Sequence, residues 1–453
     1  MNIIIVGCGK LGTTLAKTLS DENHNITVFD KNEEVVNNIV DNYDVQGIAG
    51  GAVIKRDLEE AGVKKTDIFI ATTASDEYNV LSCIIAKRLG AKHTVARVRN
   101  PEYIKQINFM RNELGISMLF NPDFSAALEI SRIIQFPSAM QIDTFADGLI
   151  DLAEVKIQPE SSFADKSVLD ISAKFKKKML ICAVERGNDV YIPNGDFVIK
   201  AYDTIYITGS HKYLSSVVKE FNPGKKFANL KDIMIVGGSR IAFYLAGMLE
   251  KHGKNVVLIE KDSKKCEELS DLLDDTTVIC GDANEYDFLK EEGIEKMDAV
   301  ITLTSSDELN ILVTVFAETC GVPKNITKID NSNLSIILDR FSTDSIVDVT
   351  GIAGDSITHY VRAKKFAASG EMKTLYKLVD GKVEAAEFLV DPKAKHLNKP
   401  LNRISFKKNV LIAAIMRKGK IIFPKGDDVI QEGDRVIVVS KERKIEKFKD
   451  IFD

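Results

Sequence analysis

Gly7, Gly9 and Gly12 stand at the spacing G-x-G-x-x-G, with Cys8, Lys10 and Leu11 filling the gaps, and an acid, Asp30, closes the next apolar run. These residue types do binding chemistry rather than bond-making chemistry. The first glycine makes a tight turn out of a strand. The second has no Cβ, so the backbone can approach a pyrophosphate, and the third lets a helix pack closely on the strand. A helix that starts in such a loop offers free N–H groups and a partial positive charge to phosphates. Asp30 can accept hydrogen bonds from a ribose 2′-OH and would repel a 2′-phosphate, which favours NAD-type over NADP-type ligands.

These residues need a strand before them and a helix after them. Asn2–Val6 is a short, β-branched apolar run, which predicts a buried strand. Leu11, Leu15, Ala16 and Leu19 recur at helical spacing, and Ile26–Phe29 predicts a second strand. Further strands are expected at Val45–Ala49, Asp67–Thr72 and Thr94–Val98. Val80–Leu89 reads as an amphipathic helix ending at Gly90, and Ser125–Gln135 as another stopped by Pro137. Strands alternating with helices of about a dozen residues predict an α/β fold with a doubly wound parallel sheet.

From Leu149 to Ser210 the signals change to alternating strands and hairpin turns. Leu152–Ile157, Met179–Glu185, Val190–Pro193 and Asp203–Thr208 predict strands, and Arg186-Gly187-Asn188-Asp189 a turn, together a small α+β module. Phe221–Phe227 reads as a linker. The chain then repeats itself. Ile233–Gly237 matches Ile3–Gly7, Val256–Glu260 matches Ile26–Asp30, and Met297–Asn310 matches Thr66–Asn79. Leu411–Pro424 matches Leu180–Pro193 in the small module. The expected plan is two tandem copies: a Rossmann-like domain over 1–138 and its small module over 139–221, then a second pair over 230–370 and 371–453.

The second fingerprint is altered. Gly237 is kept, Gly238 follows, Ser239 stands where a glycine would admit the pyrophosphate, Arg240 and Ile241 come next, and Ala242 replaces the third glycine. Glu260 keeps the acid. Two readings stay open for this copy, a weaker or shifted ligand site and an inherited empty pocket. Ser75-Asp76-Glu77 and Ser306-Asp307-Glu308 read either as helix caps or as borders of the nucleotide crevice, and the two roles are compatible. Arg97, and Lys328 in its place in the second copy, read either as phosphate contacts or as solvated strand-end charges. Lys176–Lys178 and Lys364-Lys365 read as solvated faces.

Composition narrows the partners. The chain has 453 residues and a net charge of −5, which argues against a general polyanion binder and hence against a nucleic-acid partner. Six scattered cysteines without a C-x-x-C pair predict reduced thiols in a cytosolic protein, and six histidines show no metal-ligand spacing. No apolar run reaches the length of a membrane span. The first residues enter a strand directly, which predicts no signal peptide.

A Rossmann-like domain carrying TDIFIATTASDEYN (Thr66–Asn79), followed by a small α+β module and then repeated, resembles the cytosolic RCK (KTN) regulators of potassium transport. The resemblance covers nearly the whole chain. It implies binding of NAD(H) or of ATP and ADP, and assembly into a homo-oligomer, either a tetrameric ring or a dimer of dimers. It also implies gating of an integral-membrane potassium-translocating subunit from the cytoplasmic face of the membrane, as a peripheral component and without chemistry on the nucleotide. The resemblance places first-copy nucleotide contacts at Gly7–Leu11, Asp30, Thr73, Ala74 and Arg97. In the second copy it places them at Gly237–Ile241, Glu260, Asp282 and Thr304. No catalytic or metal-binding residue is implied. One departure is that the first copy has Gly50-Gly51 where the family commonly has Gly-Asp, kept in the second as Gly281-Asp282; the two sites are expected to differ in affinity. The competing readings are an NAD-dependent oxidoreductase of two fused halves, which needs a positioned acid or base near the nicotinamide, and a scaffold that binds nothing.

Overall fold

In the computed structural model, residues 1–135, 142–145, 150–175, 178–221, 230–330, 345–367, 372–378, 382–441, 445 and 447–453 are described. Pro137, Lys176, Lys177 and the linker residues after Phe221 lie outside them. No described helix is long and apolar enough to cross a membrane.

The chain forms two compact units, one from Met1–Ile130 with Lys231–Val361 and the other from Ser131–Leu230 with Arg362–Asp453. The first unit holds both Rossmann-like copies. Strands β1 (Asn2–Val6), β2 (Asn25–Asp30), β3 (Gln46–Ala49), β4 (Ile68–Ala71), β5 (His93–Arg97) and β6 (Met118–Phe120) form a sheet of order β3-β2-β1-β4-β5-β6, parallel throughout. Four of the five β1 residues are buried, as expected for a strand covered on both faces. The order reverses between β1 and β4, and the loops after these two strands open a crevice at their carboxyl ends. Later in the chain, β12 (Asp232–Val236), β13 (Asn255–Glu260), β14 (Thr276–Cys280), β15 (Ala299–Thr302), β16 (Lys324–Lys328) and β17 (Ser345–Val347) repeat that order as β14-β13-β12-β15-β16-β17.

The two sheets exchange helices. Ala353, Ile357 and Val361, from the helix Val349–Ala367 that follows the second sheet, pack into the core of the first beside Ile3, Ile5 and Leu15. Reciprocally, the helix Pro122–Gln135 that follows the first sheet meets the second copy. Phe124 stacks edge-on against Tyr244 at 5.5 Å, and Asp123 pairs with Arg240 at 3.1 Å. Within this unit the two helices tie copy to copy.

The second unit holds the small modules. β7 (Ile142–Phe145), β8 (Ile150–Lys156), β9 (Met179–Arg186), β10 (Asp189–Tyr191) and β11 (Thr204–Ser210) form an antiparallel sheet of order β10-β9-β11-β8-β7. β18 (Met372–Leu378), β19 (Val383–Leu389), β20 (Val410–Arg417), β21 (Lys420–Ile422) and β22 (Arg435–Lys441) form its counterpart, β18-β19-β22-β20-β21. Ile150, Leu152 and Ala183 of one sheet share a core with Val383, Ala414 and Ile437 of the other.

Each module also carries an ion pair that sequence reading passed over. Arg186 donates to both oxygens of Asp203 at 2.7 Å, and Arg417 to both oxygens of Asp434 at 2.8 Å. Asp203 is 1% exposed and also accepts from the Lys200 N–H. Arg186, with a side chain 35% exposed, keeps access to water when its partner is removed. Asp203→Ala is therefore expected to cost about 2 kcal/mol, the value of a charge-assisted pair discounted for that exposure, measured by urea unfolding.

Candidate functional site

Backbone geometry builds the first crevice. Gly7 has φ +93°, and a Cβ there would lie 2.8 Å from the Thr73 nitrogen, so the loops after β1 and β4 touch. A Cβ on Gly12 would lie 1.9 Å from the Gly7 carbonyl oxygen, which is the close helix–strand approach expected of the third glycine. Gly9 is different. Its φ is −75° and ψ −172°, an extended conformation open to any residue, and no protein atom lies within 4 Å of where its Cβ would be. The fold does not require a glycine there, whereas a ligand packed against the backbone would. The helix Lys10–Asp21 starts at Gly9 without a side-chain cap, so its first N–H groups stay available.

Asp30 organises the loop. It accepts from the Cys8 N–H at 2.8 Å with one oxygen and from the Asn32 N–H at 3.0 Å with the other. A carboxylate has about four lone-pair directions, so capacity remains for a ribose hydroxyl. Burial, and then the charge of Asp30, push the Cys8 thiol up to about 12, which keeps it neutral and unreactive at neutral pH. Leu11 and Ile241 bury their side chains in the cores, so they offer a ligand backbone only.

Opposite this loop, Thr73 and Ala74 follow β4, and a residue the sequence reading had not singled out holds them. Asn79 is fully buried. Its oxygen accepts from the Thr73 N–H at 2.9 Å and the Thr73 hydroxyl at 2.7 Å, and its amide donates to the carbonyls of Thr73 at 3.1 Å and Arg97 at 2.9 Å. Asn310 repeats this set on Thr304 and Lys328. The signal was present in the sequence, because both matched segments end on this asparagine. Arg97 donates through Nη1 to the Thr73 carbonyl at 3.3 Å, while its buried Nε has no hydrogen-bond partner. Burial, then the neighbouring Arg99, pull its guanidinium below the usual arginine range, against Asp123 and Asp76; an arginine stays charged regardless.

Ser75 and Ser306 both cap their helices, accepting from the Tyr78 and Leu309 N–H groups at 3.2 Å, and Ser306 also borders the second crevice. The cap reading of that loop holds in both copies, and in the second the loop also lines the cavity. The Gly-Gly departure has a counterpart below it: Asp57, from the helix Lys55–Glu60, accepts from the Gly51 N–H at 3.1 Å. In the second copy the acid Asp282 is on the loop itself, and Phe288 lies beneath Gly281. Hydrogen bonds from Asn284 hold the Asp282 carboxyl below the usual range.

The second crevice is a cavity of about 200 Å³ whose lining includes Gly237, Gly238, Ser239, Glu260, Asp282 and Thr304. Glu260 accepts from the Gly238 N–H at 2.6 Å, as Asp30 does from Cys8. Ser239 caps its own helix, accepting from the Ala242 N–H at 3.3 Å. It thereby occupies a donor that a phosphate would use. Arg240 lines an adjoining groove of about 750 Å³ beside Phe124 and Tyr244, where it pairs with Asp123.

Family models agree with this architecture. The TrkA-N domain matches residues 3–122 and 233–349, and the TrkA-C domain matches 152–222 and 385–453. The chain belongs to the TrkA family. Among TrkA relatives, the Trk system potassium uptake protein TrkA homolog of Archaeoglobus fulgidus is 30% identical over 452 residues, covering 100% of both chains. The Trk system potassium uptake protein TrkA of Halomonas elongata is 29% identical, covering 98% of this chain and 97% of its own. The tandem TrkA fold is also that of the GsuK RCK domain, with TM-score 0.63 at 18% identity over 97% of this chain and 92% of that one. It is similar too to the GsuK channel bound to NAD, with TM-score 0.64 at 18% identity over 97% of this chain and 77% of that one.

Proposed function

We propose that this chain is the nucleotide-sensing regulatory subunit of a potassium-uptake system. It works as four modules, 1–138, 139–221, 230–370 and 371–453. It binds NAD(H) or the adenine nucleotides ATP and ADP in the two crevices, assembles with copies of itself as a tetrameric ring or dimer of dimers, and docks from the cytoplasm on a TrkH- or TrkG-like membrane subunit. The observation that carries the nucleotide part is the open space at Gly9 beside an uncapped helix start and Asp30. Membership of the TrkA family, with relatives named for potassium uptake along the full chain, supports the transport part. The same residues account for a regulator without catalysis. A ligand with different affinities for two conformations biases them, and the crevice groups described here bind and position rather than move protons.

The exchanged helices give the nucleotide a mechanical route. A ligand that draws the loops after β1 and β4 together acts on the Lys10–Asp21 helix, and Gly354 of the exchanged helix sits against Thr14 of that helix. The experiment is titration with NADH, NAD⁺, ATP and ADP, read by calorimetry and small-angle scattering, followed by potassium flux in vesicles carrying the membrane subunit. Unequal affinities, a ligand-dependent shape and a matching change in flux are expected. A chain that binds no nucleotide, or whose shape and flux ignore every bound one, would overturn the reading.

A further inference from the structure

The strand-end cations beside the two crevices are held differently. In the first, Arg97 donates to the Thr73 carbonyl at 3.3 Å and its buried Nε has no partner. In the second, Lys328 donates to the equivalent Thr304 carbonyl at 3.4 Å and also to the Asp330 carboxylate at 2.6 Å. The lysine side chain is 10% exposed and the aspartate side chain 35%, so water screens this pair in part.

Asp330 and Arg99 occupy the same place. The Arg99 N–H donates to Asp76 at 2.9 Å, and the Asp330 N–H donates to Asp307, the matching helix-start acid, at 3.0 Å. The backbone is anchored alike, and the side chains have opposite charge. The loop after the third strand does not add to this contrast, because the second copy carries Asp282 on the loop and in the first Asp57 accepts from the Gly51 N–H from the helix below. Lys265 lines the second cavity where the first copy has Val35, so the contrast rests on Asp330 and its pairing with Lys328.

We propose that Asp330 sets the ligand charge preference of the second crevice: by holding Lys328 it withdraws that cation from bound phosphate, so this crevice takes the less anionic nucleotide, NAD⁺, over ATP. The first crevice, where the Arg97 Nε has no hydrogen-bond partner and Arg99 stands in the place of Asp330, takes the more anionic ligand. A single chain thus reads two nucleotides of different charge. This rests on the nucleotide reading above and adds the residue that separates the two sites. Pairing Lys328 with a carboxylate changes the charge that the site presents to a phosphate by about one unit, which is enough to reorder ligands that differ in phosphate charge.

The test uses the full chain with the first crevice disabled by Gly9→Val. Calorimetry with NAD⁺ and with ATP at about 100 mM salt, where the Debye length is about 10 Å, is run on that parent, on Asp330→Asn, and on Asp330→Asn with Lys328→Ala. The parent is expected to bind NAD⁺ more tightly than ATP. Asp330→Asn, a near-isosteric change, is expected to raise ATP affinity about five- to tenfold and leave NAD⁺ affinity within about twofold. Removing Lys328 as well should erase the gain, because the effect runs through that cation. An ATP affinity unmoved by Asp330→Asn, or a gain that survives Lys328→Ala, overturns the proposal. If the unmodified chain binds nucleotide and the Gly9→Val parent binds none, the second crevice is empty, and the proposal fails while the nucleotide reading stands. If the unmodified chain binds neither ligand, the nucleotide reading itself fails.

Discussion

Gly9→Val is expected to remove nucleotide binding from the first crevice while leaving the fold as stable as before. The two halves of this expectation come from separate observations. Gly9 is extended, at φ −75°, and nothing lies within 4 Å of its Cβ position, so a valine meets no strain and no clash. A pyrophosphate on the free N–H groups of the Lys10–Asp21 helix would have to occupy that same space. Displacing it forfeits about two charge-assisted hydrogen bonds at roughly 1.5–3 kcal/mol each, which is a loss of about a hundredfold or more in affinity. Calorimetry measures the affinity, and thermal unfolding should shift by no more than about 2 °C, as for a surface change of a few tenths of a kcal/mol. Strong destabilisation would show that the glycine serves the fold. Unchanged binding would show that the ligand does not use the loop. Ser239→Gly is the reciprocal change. It frees the Ala242 N–H, and it should strengthen the second site at the expense of a helix cap worth about 1 kcal/mol.

Asn79→Ala is expected to lower stability by about 3 kcal/mol. The side chain is fully buried and satisfies the N–H and carbonyl of Thr73, the Thr73 hydroxyl and the Arg97 carbonyl. Each backbone group left dry and unpaired costs about 1–3 kcal/mol, partly relieved where water enters. The same bonds join the end of β4 to the end of β5, so the variant should also weaken nucleotide binding, because Thr73 and Arg97 lose their fixed separation. Urea unfolding and calorimetry on one preparation read both effects. A variant as stable as the parent would show that water replaces the asparagine. Asn310→Ala should behave alike, since its bonds to Thr304 and Lys328 repeat the set.

The sequence alone determined the repeat, the strand–helix alternation and the turn and packing roles of Gly7 and Gly12, because these depend on local periodicity and on steric limits at single positions. The alternating apolar runs became the predicted strands within a residue or two, and Gly12 sits against the Gly7 carbonyl as its spacing required. Ser75 and Ser306 became caps because capping is settled within one helical turn. What the tertiary structure decided depends on neighbours distant in the chain. No local pattern says that Ile357 belongs in the core around Ile3, since an apolar helix face is equally satisfied by either copy's sheet. Nor does a lone arginine or lysine at a strand end declare its partner. Asp330 lies only two residues from Lys328, where the first copy has Arg99, so the charge difference is legible in the sequence; that the carboxylate turns back onto the ammonium, while the Arg97 Nε is buried without a partner, is decided by the fold. Helix exchange is set by which surfaces meet, and that information exists only once the two copies have packed.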